Sequence, residues 1–174
     1  MTLDELLHGI DVPENIRSSL AVVTVPYYSF SGENRTGTLV VHADLAEEVR
    51  VIFAELYALR FPIERIVPLH KYGWSDDRSM EDNNTSAFNY RLIIATDRLS
   101  NHSYGRAIDI NPRTNPYHAR DGKVYPAGAV YDPDAHGAIT ATGPVVALFN
   151  RHGWDWGGDW TSVRDYQHFE KPLS

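Results

Sequence analysis

The sequence predicts an α+β fold with a small, mainly antiparallel sheet and helices packed against it. Three observations carry that expectation. Two β-rich runs follow each other early in the chain, residues 20–26 (LAVVTVP) and 37–43 (GTLVVHA). One strongly amphipathic helical stretch covers residues 45–60, and a shorter one covers 143–152. Short segments, residues 106–111, which alternate, and the run DYQHFE, are expected as further strands between loop-rich stretches.

Each element has its own local reason. Residues 1–19 are read as short helical turns, with Asp11 capping a helix that has Pro13 near its first position, where a missing N–H costs nothing. The runs 20–26 and 37–43 flank SGENRTG and form a hairpin with a loop longer than two residues. In 45–60, Leu45, Val49, Ile52, Phe53, Leu56 and Leu59 recur at helical spacing and make one apolar stripe. Asp44 with Glu47 resembles a capping box at its start, and Phe61-Pro62 closes it. Residues 63–67 are expected to be the next strand. Residues 70–101 are rich in Asp, Asn, Ser and Gly without periodicity, and an irregular stretch of that length in a compact domain is usually functional. Residues 112–137 are again loop-like, with Pro112, Pro116, Pro126 and Pro133. The helix at 143–152 is one that Gly153 can terminate.

Bulk properties narrow the functions. The chain has 174 residues, which suits a single domain over 1–174, with the chemistry concentrated at about 45–172. Hydrophobic residues make up 43% and charged residues 22%, an ordinary globular balance that argues against disorder. Sixteen Lys and Arg against 23 Asp and Glu give a net charge of −7, which disfavours nucleic acid and anionic membrane surfaces as partners. With no cysteine, thiol catalysis, disulfides and thiolate zinc sites are excluded. No apolar run reaches the roughly 18 residues a membrane span needs. The start MTLDELLHGI lacks a basic n-region and does not look like a signal peptide. Location therefore stays open: cytoplasmic, exported by another route, or trimmed from an exported precursor.

Two segments hold the chemistry-bearing residues. One is His102-Ser103-Tyr104-Gly105-Arg106-Ala107-Ile108-Asp109; the other is Asp165-Tyr166-Gln167-His168-Phe169-Glu170. A catalytic zinc takes three His or carboxylate ligands and keeps a fourth position for water. His102, Asp109 and His168 supply such a set, and Asp165, three residues before His168, is placed to act as general base. A lone His is most often a surface or satisfied core residue. That bland interpretation is kept for His8, His42, His70, His118, His136 and His152. Gly105 is expected to permit a close backbone approach. Trp154, Trp156 and Trp160 are read as core and cleft wall, Gly157-Gly158 as a turn, and Glu170 as a surface group or a support behind the metal ligands. There is no H-E-x-x-H, no G-x-S-x-G and no phosphate-binding glycine loop, so helical zincin, serine-hydrolase and nucleotide chemistry lack support.

The string from His102 to Asp109, continued by Ile110-Asn111-Pro112, resembles the S/N-H-x-x-G-x-A-x-D signature of the M15 metallopeptidases. These are the VanY-like D-alanyl-D-alanine carboxypeptidases and L-alanyl-D-glutamate endopeptidases. Gly153-Trp154-x-Trp156-Gly157-Gly158-Asp159-Trp160, followed by Asp165-x-x-His168-Phe169, resembles the second motif of that family, and Asn83 to Arg91 resembles a segment of one branch. The likeness covers roughly residues 60–170. It implies a hedgehog/DD-peptidase-like fold and Zn2+ on His102, Asp109 and His168. It also implies Asp165 as base, where some branches carry Glu. A family arginine that binds the scissile carbonyl is assigned to Arg91, with Arg78 as substitute. Ser86, Tyr104 and Trp156 are expected to line the substrate cleft. The implied substrate is a peptidoglycan stem peptide, cut either at terminal D-Ala–D-Ala or at L-Ala–D-Glu, by a protein expected to be a monomer without a membrane span. Two other functions remain: a non-catalytic, zinc-containing cell-wall-binding module, and a two-carboxylate glycosidase using its tryptophans to stack sugar.

Overall fold

The structure is a computed structural model that describes residues 1–93 and 96–173. Two one-turn helices, α1 (Leu3–Leu6) and α2 (Glu14–Arg17), lead into strand β1 (Leu20–Ser29), which turns at residues 30–33 into β2 (Asn34–His42). A 3-10 turn at Ala43–Leu45 opens helix α3 (Ala46–Ala58). Short strands β3 (Pro62–Ile63) and β4 (Arg65–Ile66), helix α4 (Asp76–Glu81) and β5 (Asn84–Thr85) follow. Then come β6 (Ala107–Asp109), β7 (Tyr117–His118), β8 (Val124–Tyr125) and α5 (Pro144–Arg151). The chain closes with β9 (Asp155–Trp156), β10 (Arg164–Asp165) and β11 (His168–Glu170).

The architecture is α+β, but its strands fall into four small sheets: β2-β1-β3, β10-β7-β8, β6-β11-β9 and β4-β5. Among the described residues five of the seven strand pairings are antiparallel, as expected, while β1 with β3 and β4 with β5 pair in parallel. The expected strand over 63–67 is split for the same reason: β3 adds to β1 while β4 turns away to pair with β5. The first hairpin is longer and tighter than the sequence pattern suggests, running in register from Leu20 opposite His42 to Tyr28 opposite Asn34.

Helix α3 lays its apolar stripe on that hairpin. Val49, Ile52, Phe53 and Leu56 are fully buried with Val23, Val25, Leu39 and Val41 in the main core, which continues through Ile108, Phe149, Trp154 and Phe169. Leu59 lies beyond the helix end and is exposed. A smaller apolar cluster under the N-terminal turns joins Leu6, Leu7, Ile16 and Val40 to Phe88 and Tyr104. Neither expected helix start holds. Pro13 occupies the cap of α2, where Asp11 makes no capping bond, and the 3-10 turn ahead of α3 is capped by the His42 ring accepting from Asp44 N at 3.2 Å. Gly153 does end α5, in the left-handed region at φ 75°.

The irregular stretches are held by buried asparagines rather than by sheet. Asn111 accepts from Glu64 N and donates to Pro62 O and Gly137 O. Asn115 accepts from Ile139 N, and Asn84 brackets Val67 by its N–H and its carbonyl. Each satisfied amide replaces a ladder bond that the loop lacks. Among the described residues no helix is long and apolar enough to cross a membrane.

Candidate metal centre

The site is built where β6 meets β11. Their antiparallel register places His168 directly opposite Asp109, so both side chains leave the sheet as cross-strand neighbours. Asp109 is fixed from its other edge by Ser86: Asp109 N donates to Ser86 O at 2.9 Å and Ser86 N donates to Asp109 O at 3.0 Å. His102 arrives from the 3-10 turn Asn101–Tyr104, capped by Ser100 and ended by Gly105 at φ 65°. Gly105 meets the hairpin so closely that a Cβ there would lie 2.5 Å from His42 N and 2.7 Å from Val41 C. The glycine of the first motif therefore lets the His102 turn dock on β2, with His42 N donating to Gly105 O at 2.8 Å.

The three candidate ligand groups converge. His102 Nε2 is 3.1 Å from Asp109 Oδ2, His168 Nδ1 is 2.9 Å from Asp109 Oδ1, and the two ring nitrogens are 3.2 Å apart. All three residues are buried. Each imidazole hands its outer nitrogen to an acceptor. His102 Nδ1 bonds Ala87 O at 2.5 Å, and His168 Nε2 bonds Glu170 Oε2 at 2.9 Å. A carbonyl or an ionised carboxylate can only accept, so both outer nitrogens carry a hydrogen, and in the neutral rings both inner ones present lone pairs. Two lone pairs and a carboxylate thus face one another with no donor between them, a set that calls for a cation. The donor chemistry fits a divalent metal such as zinc, with outer acceptors of the kind that orient metal-bound histidines.

Without a metal, a proton takes that place. Burial alone would lower His168, but the hydrogen bonds to Asp109 and Glu170 outweigh it and raise its pKa to about 10. Burial alone would raise Asp109, but His102 and His168 hold it well below the usual carboxylate range. Glu170, which also accepts from Asn101 Nδ2 at 2.9 Å, is the support behind His168 rather than a free surface group.

A cavity of about 360 Å³ opens over this centre. Asp165, Arg91, Asp76, Arg98, Tyr117, Tyr125 and Trp160 line it together with the three ligands. Asp165 is raised to about 7, chiefly by burial and further by the charges of Asp109 and Asp76, against the opposing pull of His168 and Arg91. Its Oδ1 is buried without a hydrogen-bond partner. Gly157 makes room for it, since a Cβ there would sit 2.8 Å from Asp165 Cβ.

Of the arginines named from the sequence, Arg91 lines the cavity and Arg78, exposed on α4, does not. Ser86, Tyr104 and Trp156 do not line it either. Ser86 serves Asp109 through its backbone, and Tyr104 packs in the N-terminal cluster. Trp156 is core, donating Nε1 to Tyr166 O at 2.9 Å. The cavity wall is made instead by Trp160, whose ring lies 5.3 Å from that of His168, and by the stacked pair Tyr117 and Tyr125. Tyr117 is brought there by pairing with Asp165 across β7 and β10, a contact no local pattern announces.

A buried group of two imidazoles and one carboxylate thus lies beneath a cleft that also holds a half-buried acid and an arginine. Residues 94–171, a little under half of the chain, match the family model described as D-alanyl-D-alanine carboxypeptidase. The matched stretch contains all three candidate ligands and Asp165, and the match supports an M15-family peptidase. No solved structure gives a significant match to the chain.

Proposed function

We propose that the chain is a zinc-dependent carboxypeptidase of cell-wall stem peptides, releasing the last residue from peptides that end in D-Ala–D-Ala. The observation that carries this reading is the convergence of His102, Asp109 and His168, lone pairs inward, beneath a cavity that also holds Asp165 and Arg91. His102, Asp109 and His168 would hold a divalent ion, which would supply Lewis-acid activation of water and of the scissile carbonyl. The chain's own groups do the rest. Asp165 accepts the proton of the attacking water and delivers it to the leaving amine as the C–N bond breaks. Its elevated pKa suits a group that must both take and return a proton near neutrality. Arg91 holds the charge that develops on the carbonyl oxygen.

Arg98 favours cleavage at the chain end. It lines the same cavity, and among the described residues no carboxylate pairs with it, whereas Arg91 contacts Asp76. An unpaired cation in the cleft suits the terminal carboxylate of a D-Ala–D-Ala end.

The test combines metal analysis with turnover. Wild type is expected to hold about one zinc per chain, one ion being what a single three-ligand site binds. Asp165→Asn is expected to keep it and His168→Ala to lose it. Release of D-Ala from a stem pentapeptide is expected to fall about 10²–10⁴-fold in Asp165→Asn. A metal-free wild type after zinc reconstitution, or an undiminished Asp165→Asn, contradicts the proposal. Cleavage after L-Ala instead of D-Ala release would replace the terminal assignment with the internal one.

A further inference from the structure

Arg91 is fastened at its base. Arg91 N donates to Ser103 Oγ at 2.9 Å, Ser103 Oγ lies 2.8 Å from Arg91 O, and Ser100 N donates to Arg91 O at 3.0 Å. Ser103 is fully buried and follows His102 directly, so the Arg91 backbone is tied to the turn that carries a metal ligand. A fixed backbone does not fix a guanidinium on a long, rotamer-rich side chain. Something must hold the far end.

Asp76 is placed to do so. Its Oδ2 lies 3.1 Å from Arg91 Nε, and both side chains are about a quarter to a third exposed, at 27% and 32%. Both line the cavity. Asp76 is the first residue of α4, whose cap Ser75 accepts from Arg78 N at 3.3 Å. The turn before it is pinned to the N-terminal segment through Trp74, whose Nε1 donates to His8 O at 2.9 Å. Arg91 Nε is buried without a hydrogen bond, so Asp76 holds the guanidinium by charge and leaves its outer nitrogens for a substrate carbonyl. The half-buried Asp165 carboxyl is also within electrostatic reach of Arg91. An Arg91 released from Asp76 is free to swing onto that carboxylate, which would remove both groups from their tasks.

We propose that Asp76 is a positioning residue that holds the Arg91 guanidinium toward the scissile carbonyl and away from Asp165. This rests on Arg91 being the group that binds the carbonyl oxygen. A partly exposed ion pair contributes little to stability, so the effect is expected in turnover rather than in folding.

The experiment uses the zinc-loaded protein, a stem pentapeptide ending in D-Ala–D-Ala, and the variants Asp76→Ala, Asp76→Glu, Arg91→Ala and the Asp76→Ala/Arg91→Ala double. Asp76→Ala is expected to lower kcat about 10–100-fold, the scale of a misplaced catalytic group, with KM within about twofold. Its zinc content and urea midpoint should match wild type, and Asp76→Glu should recover part of the rate. Adding Asp76→Ala to Arg91→Ala should cost nothing further, because a residue that acts through another has no separate effect once that one is gone. An unchanged kcat in Asp76→Ala beside an impaired Arg91→Ala overturns the positioning role alone. So does a double variant whose losses multiply. A fully active Arg91→Ala overturns the role of Arg91 itself, and this proposal with it.

Discussion

Removing the Glu170 carboxylate should weaken metal binding although Glu170 is not one of the three converging ligands. Its Oε2 accepts from His168 Nε2 and from Asn101 Nδ2, each at 2.9 Å, and the side chain is only 21% exposed. The bond to His168 keeps the hydrogen on Nε2 and the lone pair on Nδ1, which faces Asp109 and His102. In Glu170→Ala the ring is free to adopt the other tautomer, donating from Nδ1 to Asp109 and closing the site to a metal. Partners of this kind are worth about 10–100-fold in affinity, or about 1.4–2.7 kcal/mol. The upper end is expected for Glu170→Ala, which loses both hydrogen bonds and the charge. Glu170→Gln keeps an acceptor in place of Oε2 and should sit near the lower end. Asn101→Ala leaves the His168 bond intact and should cost less than about tenfold, the lower limit for losing such a partner outright. Zinc affinity measured by competition with a chromogenic chelator at fixed pH gives the ranking. A Glu170→Ala protein that folds normally and binds zinc within about twofold of wild type would refute this account of tautomer control, since the expected loss is at least tenfold.

Stability of the metal-free protein should fall as pH rises. The folded pKa of His168 is raised to about 10, so its contribution is complete below the unfolded value near 6.5 and disappears as pH climbs through about 10. Asp165 is also raised, to about 7, so its neutral form favours the fold below pH 3.8 and that benefit is lost toward neutrality. Urea midpoints in the presence of a chelator should therefore decline between pH 5 and 10, and a flat profile would contradict both assignments. Gly105→Ala should destabilise the fold by more than about 2 kcal/mol, from the left-handed φ of 65° together with a Cβ 2.5 Å from His42 N. Urea unfolding would show the loss, and because His102 sits on that turn, zinc affinity should drop with it.

The candidate metal centre was the most legible part of the sequence. Its three candidate ligands and the proposed acid lie in two short strings whose internal spacing is set by local geometry: a capped turn entering β6, and a bend between β10 and β11. The apolar stripe of α3 was equally plain, because burial of a helix face imposes its period on the chain. The helix starts were not, since a capping pattern competes with whatever the preceding strand delivers, and here β2 runs straight into a 3-10 turn.

The cleft wall was the part sequence misplaced. Ser86, Tyr104 and Trp156 stand close in the chain to site residues yet point into core or backbone pairing. Trp160, Tyr117, Tyr125, Arg98 and Asp76 reach the cavity through pairings between separate strands and loops. Glu170, too, showed its role only once β11 set it beside Asn101.

By itself the sequence determined which residues could gather a cation and a proton acceptor, because that chemistry needs particular side chains at spacings a turn and a strand can satisfy. Only the tertiary structure decided how the four small sheets divide and which ring nitrogen of each histidine faces inward. It alone also decided which side chains form the cleft. Those features depend on contacts between segments far apart in the chain, and such contacts leave no local periodicity to read.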